Sequence, residues 1–233
     1  MKKFLVITLL ITSFALPQSK DADIIIKNLK TAFKEVNNYA VNVTIKTDIS
    51  FLKVPPMKAK VYFKQPDKVH FESEGFALLP RNGMYTSPLS FLNGNYTAIY
   101  VRDEDFEGHK TSVVKTIPLD DKGDLILTTL WIDQANNVIR KVEASTKING
   151  TFTLILNYDD KGMKYPLPSS MVFSFNAPQK NMRHGMNPEF GDNASNKSSD
   201  MISGKIYINY SNYVVNKGIP DNVFEKDNNN KAR

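Results

Sequence analysis

The side chains able to do acid–base or metal chemistry are three histidines and several clusters of carboxylates. His70, His109 and His184 are far apart, with no i, i+4 pair and no E-x-x-H, so they lack the helical two-histidine grip of a zinc hydrolase. His70 falls on the polar side of an alternating stretch and reads as solvated. His184 lies in N-M-R-H-G-M between Met182 and Met186. Thioether and imidazole would suit a soft metal, but the surroundings read as a polar loop. The carboxylates group as Asp103, Glu104, Asp105 and Glu107, then Asp120, Asp121 and Asp124, then Asp159 and Asp160. Calcium binding or general acid–base work is the chemistry such groups offer. None follows an EF-hand spacing, and Asp is favoured in turns because it bonds its own backbone, so they read as structural turns. No G-x-S-x-G, P-loop or G-x-G-x-x-G occurs. With no cysteine, thiol catalysis, Cys-ligated zinc or iron–sulfur centres and a lipid-modified N-terminal Cys are excluded. No catalytic residue, metal or cofactor is expected.

The apolar side chains are the more informative set. Leu29, Phe33 and Val36 recur on one side of a helical pattern. Val41, Val43, Val61, Phe63 and Phe71 occupy the apolar side of strand patterns, and Phe76 and Leu78 lie in the greasy stretch that follows. Trp131, Phe152 and Phe173 are expected to join them, with Tyr39 and Phe175, on one concave side. Singly, each suits an ordinary core. Together they suit an apolar site for an acyl chain. Removing a CH₂ from water yields roughly 0.8 kcal/mol without directionality, so such a site needs no fixed polar motif.

The elements that must position these residues follow from periodicity. Asp23 to Val36 is an amphipathic helix: Ile25, Ile26, Leu29, Phe33 and Val36 step by three and four, opposite Lys27, Lys30 and Lys34. Asp21 or Asp23 can cap its start. Tyr39 to Ile45 switches to period two. Met57 to Gly83 opens with a hairpin around Gln65-Pro66-Asp67. Met57, Ala59, Val61 and Phe63, then Val69 and Phe71, share its apolar side, and Lys58, Lys60 and Lys64 its wet side. Beyond Asn93-Gly-Asn95, strands are expected at 96–102, 109–119, 125–133, 138–147, 151–158, 171–175 and 204–215. The acidic 103–108 run serves as one of the turns between them. Residues 176–203, rich in Asn, Pro, Gly and Ser, read as a long polar loop. Residues 225–233 read as a polar tail.

Nine to eleven such strands joined by tight turns make an antiparallel meander. A sheet this wide tends to curl. The expectation is therefore α+β, mostly β: a strongly curved antiparallel sheet with the N-terminal helix on its concave, apolar side.

The chain has 233 residues, 41% hydrophobic and 23% charged, enough for a sizeable core without staples. Met1-Lys2-Lys3 followed by the apolar run Phe4–Ala15 has the form of a signal peptide, cut after 15 or 19. The run is too short to cross a membrane as a helix. The expected plan is a signal peptide at 1–19, one domain at 20–224 and the tail. The mature protein is expected to be exported and soluble, without a lipid anchor. The formal charge of +6 comes without a block of five basic residues, so nucleic acid is not an expected partner.

Several segments resemble the outer-membrane lipoprotein carrier and sorting family, the periplasmic Lol-type carriers. They are the leader and helix running into Tyr39–Ile45, the segment Val61-Tyr-Phe-Lys-Gln-Pro-Asp-Lys-Val-His-Phe71, and Leu130-Trp-Ile-Asp133 with Asn137-Val-Ile-Arg-Lys-Val142. Phe152–Tyr158 and the closing Asn216-Lys-Gly-Ile-Pro-Asp-Asn-Val-Phe224 complete them. The resemblance implies an incomplete β-barrel with helices as a lid over an apolar cavity. It also implies a periplasmic carrier of lipoprotein acyl chains, or another lipid, between a transient inner-membrane donor and outer-membrane acceptor. Arg102 and Arg140 are candidates for the family's cavity-facing arginine. In that picture the helix, through Leu29, Phe33 and Val36, packs on the cavity when empty and swings aside when acyl chains enter. The alternative is a periplasmic module that senses lipids or lipoproteins and regulates a partner. A lipid hydrolase is disfavoured by the missing nucleophile–base pair.

Overall fold

The computed structural model describes residues 20–49, 55–73, 89–120, 123–148, 150–159, 164–178 and 201–229. Helix α1 (Ala22–Lys34) leads into β1 (Asn38–Ile49), β2 (Met57–Lys64) and β3 (Lys68–Ser73). After a 3-10 turn at Ser90–Leu92 come β4 (Tyr96–Phe106), β5 (His109–Pro118), β6 (Leu125–Asp133) and β7 (Val138–Thr146). Strands β8 (Thr151–Asn157), β9 (Ser170–Pro178) and β10 (Met201–Val215) follow, and α2 (Asn222–Asn229) closes the chain.

All ten strands form one antiparallel sheet in the order β3-β2-β1-β10-β9-β8-β7-β6-β5-β4. The sheet is open, neither closed nor strongly curled. This corrects the expected incomplete barrel with a helical lid. Closure would require β3 to pair with β4, and these two strands end opposite edges. Nor does α1 stand apart as a lid: Ile25, Ile26, Leu29 and Phe33 are buried in the same core as the strands.

Alternation explains how the sheet makes that core. Tyr39, Val41, Val43 and Ile45 of β1 are buried between exposed or half-buried neighbours. They pair inward with Phe63, Val61, Ala59 and Met57 of β2. The same face continues through Ile206 and Ile208 of β10, Phe173 of β9, Leu154 of β8, Val142 of β7 and Leu130 of β6. Full burial of one such side chain stabilises by about 1.5–3 kcal/mol, so this inner face carries most of the hydrophobic stabilisation. Phe91 and Leu92 of the 3-10 turn also drop onto it, with Phe91 5.9 Å from the Phe152 ring.

Polar groups fix the entry of α1 into the sheet. Asp21 is the cap, accepting from the Asp23 and Ile24 N–H groups. At the other end the Gln65 amide donates to the Val36 carbonyl at 2.8 Å and the Phe33 carbonyl at 3.3 Å. Asn216, at φ +57°, accepts from Asn37 N–H at 2.8 Å and donates to the Glu35 carbonyl. These side chains satisfy carbonyls that a helix C-terminus leaves without partners.

Other boundaries also differ from expectation. Asp103, Glu104 and Asp105 lie on β4 rather than in a turn, because Glu107 and Gly108, both at positive φ, close a two-residue hairpin. Strand β9 runs on to Pro178 and β10 begins at Met201, paired with each other. The start of the expected tail belongs to α2. His184 and residues 1–19 lie outside the described residues.

Candidate functional site

The inner face brings together nine of the thirteen predicted site residues. Leu29, Phe33, Val36, Val41, Val43, Val61, Phe63, Phe152 and Phe173 are all buried in one continuous cluster. Rings mark two centres within it. Phe63 meets Phe33 edge-on at 5.9 Å and stacks on Tyr39 at 5.1 Å. Phe152, Phe173 and Phe175 follow one another at 5.6 and 5.8 Å. Sequence reasoning missed Phe91, whose stretch lacks strand or helix periodicity.

Phe71 sits on the same face but is only half-buried. With Met57, Ala59 and Val69 it forms the β2–β3 margin of the core, where the apolar face runs out to an open sheet edge. Tyr96, Ala98 and Tyr100 make a corresponding margin on β4. Phe76 and Leu78 lie outside the described residues.

Trp131 does not belong to this surface. It pairs with Val113 and Lys141 on the opposite face of the sheet. Its indole N–H donates to Glu104 Oε1 at 3.2 Å, and the Lys141 ammonium sits 4.2 Å from a Trp131 ring centre. Hydrogen bonds from Trp131 and Arg102 hold the Glu104 carboxyl below its usual range.

The two arginine candidates separate clearly. Arg102 is exposed and pairs with Glu104. Arg140 is buried, donating through Nε at 3.2 Å and Nη2 at 2.9 Å to Asp133 Oδ2, with its guanidinium 5.2 Å from the Tyr158 ring. Asp133 also accepts from the Ala135 and Asn136 N–H groups and the Asn136 side chain. Burial opposes its ionisation, but Asn136 and Arg140 outweigh that and hold the carboxyl below its ordinary value. His109 Nδ1 stands 3.8 Å from Asp133. The pair was findable: Asp133 and Arg140 flank one tight turn between adjacent strands. His70, expected to be wet, is instead buried beside Tyr62, with ring centres 6.0 Å apart. Among the described residues, no group of three or more His, Asp or Glu side chains could hold a metal ion.

The inner face is built of aliphatic side chains and aromatic rings. Its tyrosines are turned to structural ends: Tyr158 O–H donates to the Ile139 carbonyl and Tyr213 O–H to the Pro168 carbonyl. Burial raises the hydroxyl pKa of both well above the normal range, which keeps them neutral.

This architecture is shared with lipoprotein-sorting proteins at the level of the fold. A LolA superfamily protein from Nitrosomonas europaea superposes with a TM-score of 0.56 at 15% identity, over 89% of this chain and 98% of that one. A putative outer membrane lipoprotein-sorting protein domain from Vibrio parahaemolyticus gives 0.57 at 14% identity, over 89% and 98%. A DUF1329 family protein from Desulfovibrio piger gives 0.55 at 11%, also over 89% and 98%. No protein-family model matches the sequence, and comparison with curated proteins finds no match.

Proposed function

We propose that this chain is a periplasmic lipid-binding carrier that holds acyl chains of lipoproteins, or of a related lipid, and passes them from an inner-membrane donor to an outer-membrane acceptor without a catalytic step. The observation that carries this reading is the apolar inner face, which among the described residues extends beyond its cover. At the β2–β3 margin Met57, Ala59, Val69 and Phe71 continue the core's face yet remain partly exposed. Partly exposed apolar side chains at a sheet edge suit contact with apolar matter. The likeness of fold to a lipoprotein-sorting domain supports the same reading.

An acyl chain laid along this margin would rest on Phe71 and Val69, with Phe63 and Phe33 behind them. Withdrawing about ten methylenes from water yields roughly 8 kcal/mol, before the cost of ordering the chain. That is enough for reversible capture and leaves release possible.

The test is native mass spectrometry of the protein purified from membrane-containing cells, with lipid extraction alongside. An adduct of acyl-lipid mass, displaced by a fluorescent fatty acid, is the expected result. A clean unliganded mass together with no fatty-acid uptake would end the carrier reading.

A further inference from the structure

The outer face of β10, β1 and β2 carries a stripe of lysines. In register, Lys205 of β10 opposes Asp48 of β1, Lys46 opposes Tyr207, Thr44 opposes Lys58 of β2, and Asn42 opposes Lys60. Diagonal neighbours on one face of an antiparallel pair lie about 7–8 Å apart. Lys205, Lys46 and Lys58 therefore follow one another diagonally across three strands, and Lys60 occupies the next outward position on β2. All four are exposed. Tyr207 and Tyr62 stand half-buried among them, with the Lys60 ammonium 5.2 Å from the Tyr62 ring.

Among the described residues, the carboxylates facing this region are few. Asp48 lies within the stripe, Glu72 of β3 accepts from the Tyr62 hydroxyl, and Asp221 bridges Lys64 and Lys68 at 3.0 Å each. Among the described residues, these six lysines stand against Asp48, Glu72 and Asp221, with Asp67 in the β2–β3 turn, which leaves the face positive. At the far end of the sheet, the carboxylates of the β4–β5 hairpin are largely neutralised: Asp103 pairs with Lys20 and Glu104 with Arg102, and Lys110 lies on the same hairpin. A face with excess positive charge is drawn toward a negative surface. The lysines spread over neighbouring strands about 4.8 Å apart, so they form a broad array and not a pocket for a single anion. Amphipathic tyrosines among lysines suit the interface of a lipid headgroup layer.

We propose that this outer face docks on an anionic bilayer surface. Docking uses the face opposite the apolar one and needs no bound acyl chain, so it stands or falls separately from the carrier reading. The probe is flotation of the protein with vesicles of phosphatidylcholine containing 30% phosphatidylglycerol, against pure phosphatidylcholine. Each lysine near such a surface contributes about fivefold in affinity. The expected result is binding to the anionic vesicles only, lost in high salt. A K46Q/K58Q/K60Q/K205Q variant should bind about 100-fold more weakly or worse. All four positions are exposed, and an unchanged circular dichroism spectrum confirms that the variant is folded. A K27Q/K34Q/K110Q/K217Q variant loses the same charge elsewhere and should bind as the parent does. Equal loss in both variants, no loss in the first, equal binding to neutral vesicles, or capture by duplex DNA without capture by vesicles would each overturn the proposal.

Discussion

Gly204 of β10 lies directly against Phe175 of β9: a Cβ at Gly204 would come within 2.6 Å of Phe175 Cζ, and within 2.8 Å of Ile49 Cγ1 on the other side. The two residues pair across the strands and face inward. The core is filled here to the backbone itself. Gly204→Ala is therefore expected to destabilise by about 1–3 kcal/mol through overpacking, read as a lower midpoint in urea denaturation. Adding Phe175→Leu should restore much of that loss. An unchanged midpoint in Gly204→Ala would mean that the ring moves aside freely.

The two phenylalanines at the β2–β3 end should respond in opposite ways. Phe33 is 6% exposed and packed on Phe63, so Phe33→Ala should cost about 3–5 kcal/mol. Phe71 is half-buried at the margin. Phe71→Ser should cost far less stability yet weaken uptake of a fluorescent fatty acid at least tenfold. Denaturation and probe titration on both variants check the contrast. Full uptake by Phe71→Ser would move the acyl site away from this margin.

How far the sequence leads can be judged from such positions. Period two placed Val41, Val43, Val61 and Phe63 on one face because polar or amphipathic residues alternate with them, only Ala40 beside Val41 being apolar. The rule fails in LILTTLWID, where both faces near the end of β6 are buried. There it cannot choose a side for Trp131, which a hydrogen bond to Glu104 and a cation over its ring settle on the outer face. Alternation also says nothing of whether sheet edges meet. That depends on β3 and β4, which the topology sends to opposite ends. Phe91 entered the core without any periodic signal, carried by a short turn.

The buried Asp133–Arg140 pair predicts a response to acid. A carboxyl whose folded pKa is held below its unfolded value of about 3.9 contributes stability that is fully present above that value. The contribution fades as pH falls through the lower folded pKa. Asp133→Asn should therefore lose less stability between pH 6 and pH 3 than the parent does, measured by urea denaturation at each pH. Arg140→Met leaves the carboxylate buried without its cation and should cost about 3–5 kcal/mol at pH 7. Parallel pH profiles for parent and Asp133→Asn would remove this carboxyl from the acid response.

Trp131 is the only tryptophan in the chain and faces away from the apolar core, so it reports on which side a lipid binds. A fatty acid carrying a nitroxide near its methyl end quenches an indole only at short range. Bound on the inner face, it should leave most of the Trp131 emission intact, with the sheet backbone and the inner side-chain layer between them. A tryptophan placed at the margin by Phe71→Trp should be quenched strongly in the same titration. If Trp131 is quenched as deeply as a tryptophan at position 71, the acyl chain lies on the outer face. The inner margin would then be only the exposed fringe of a core.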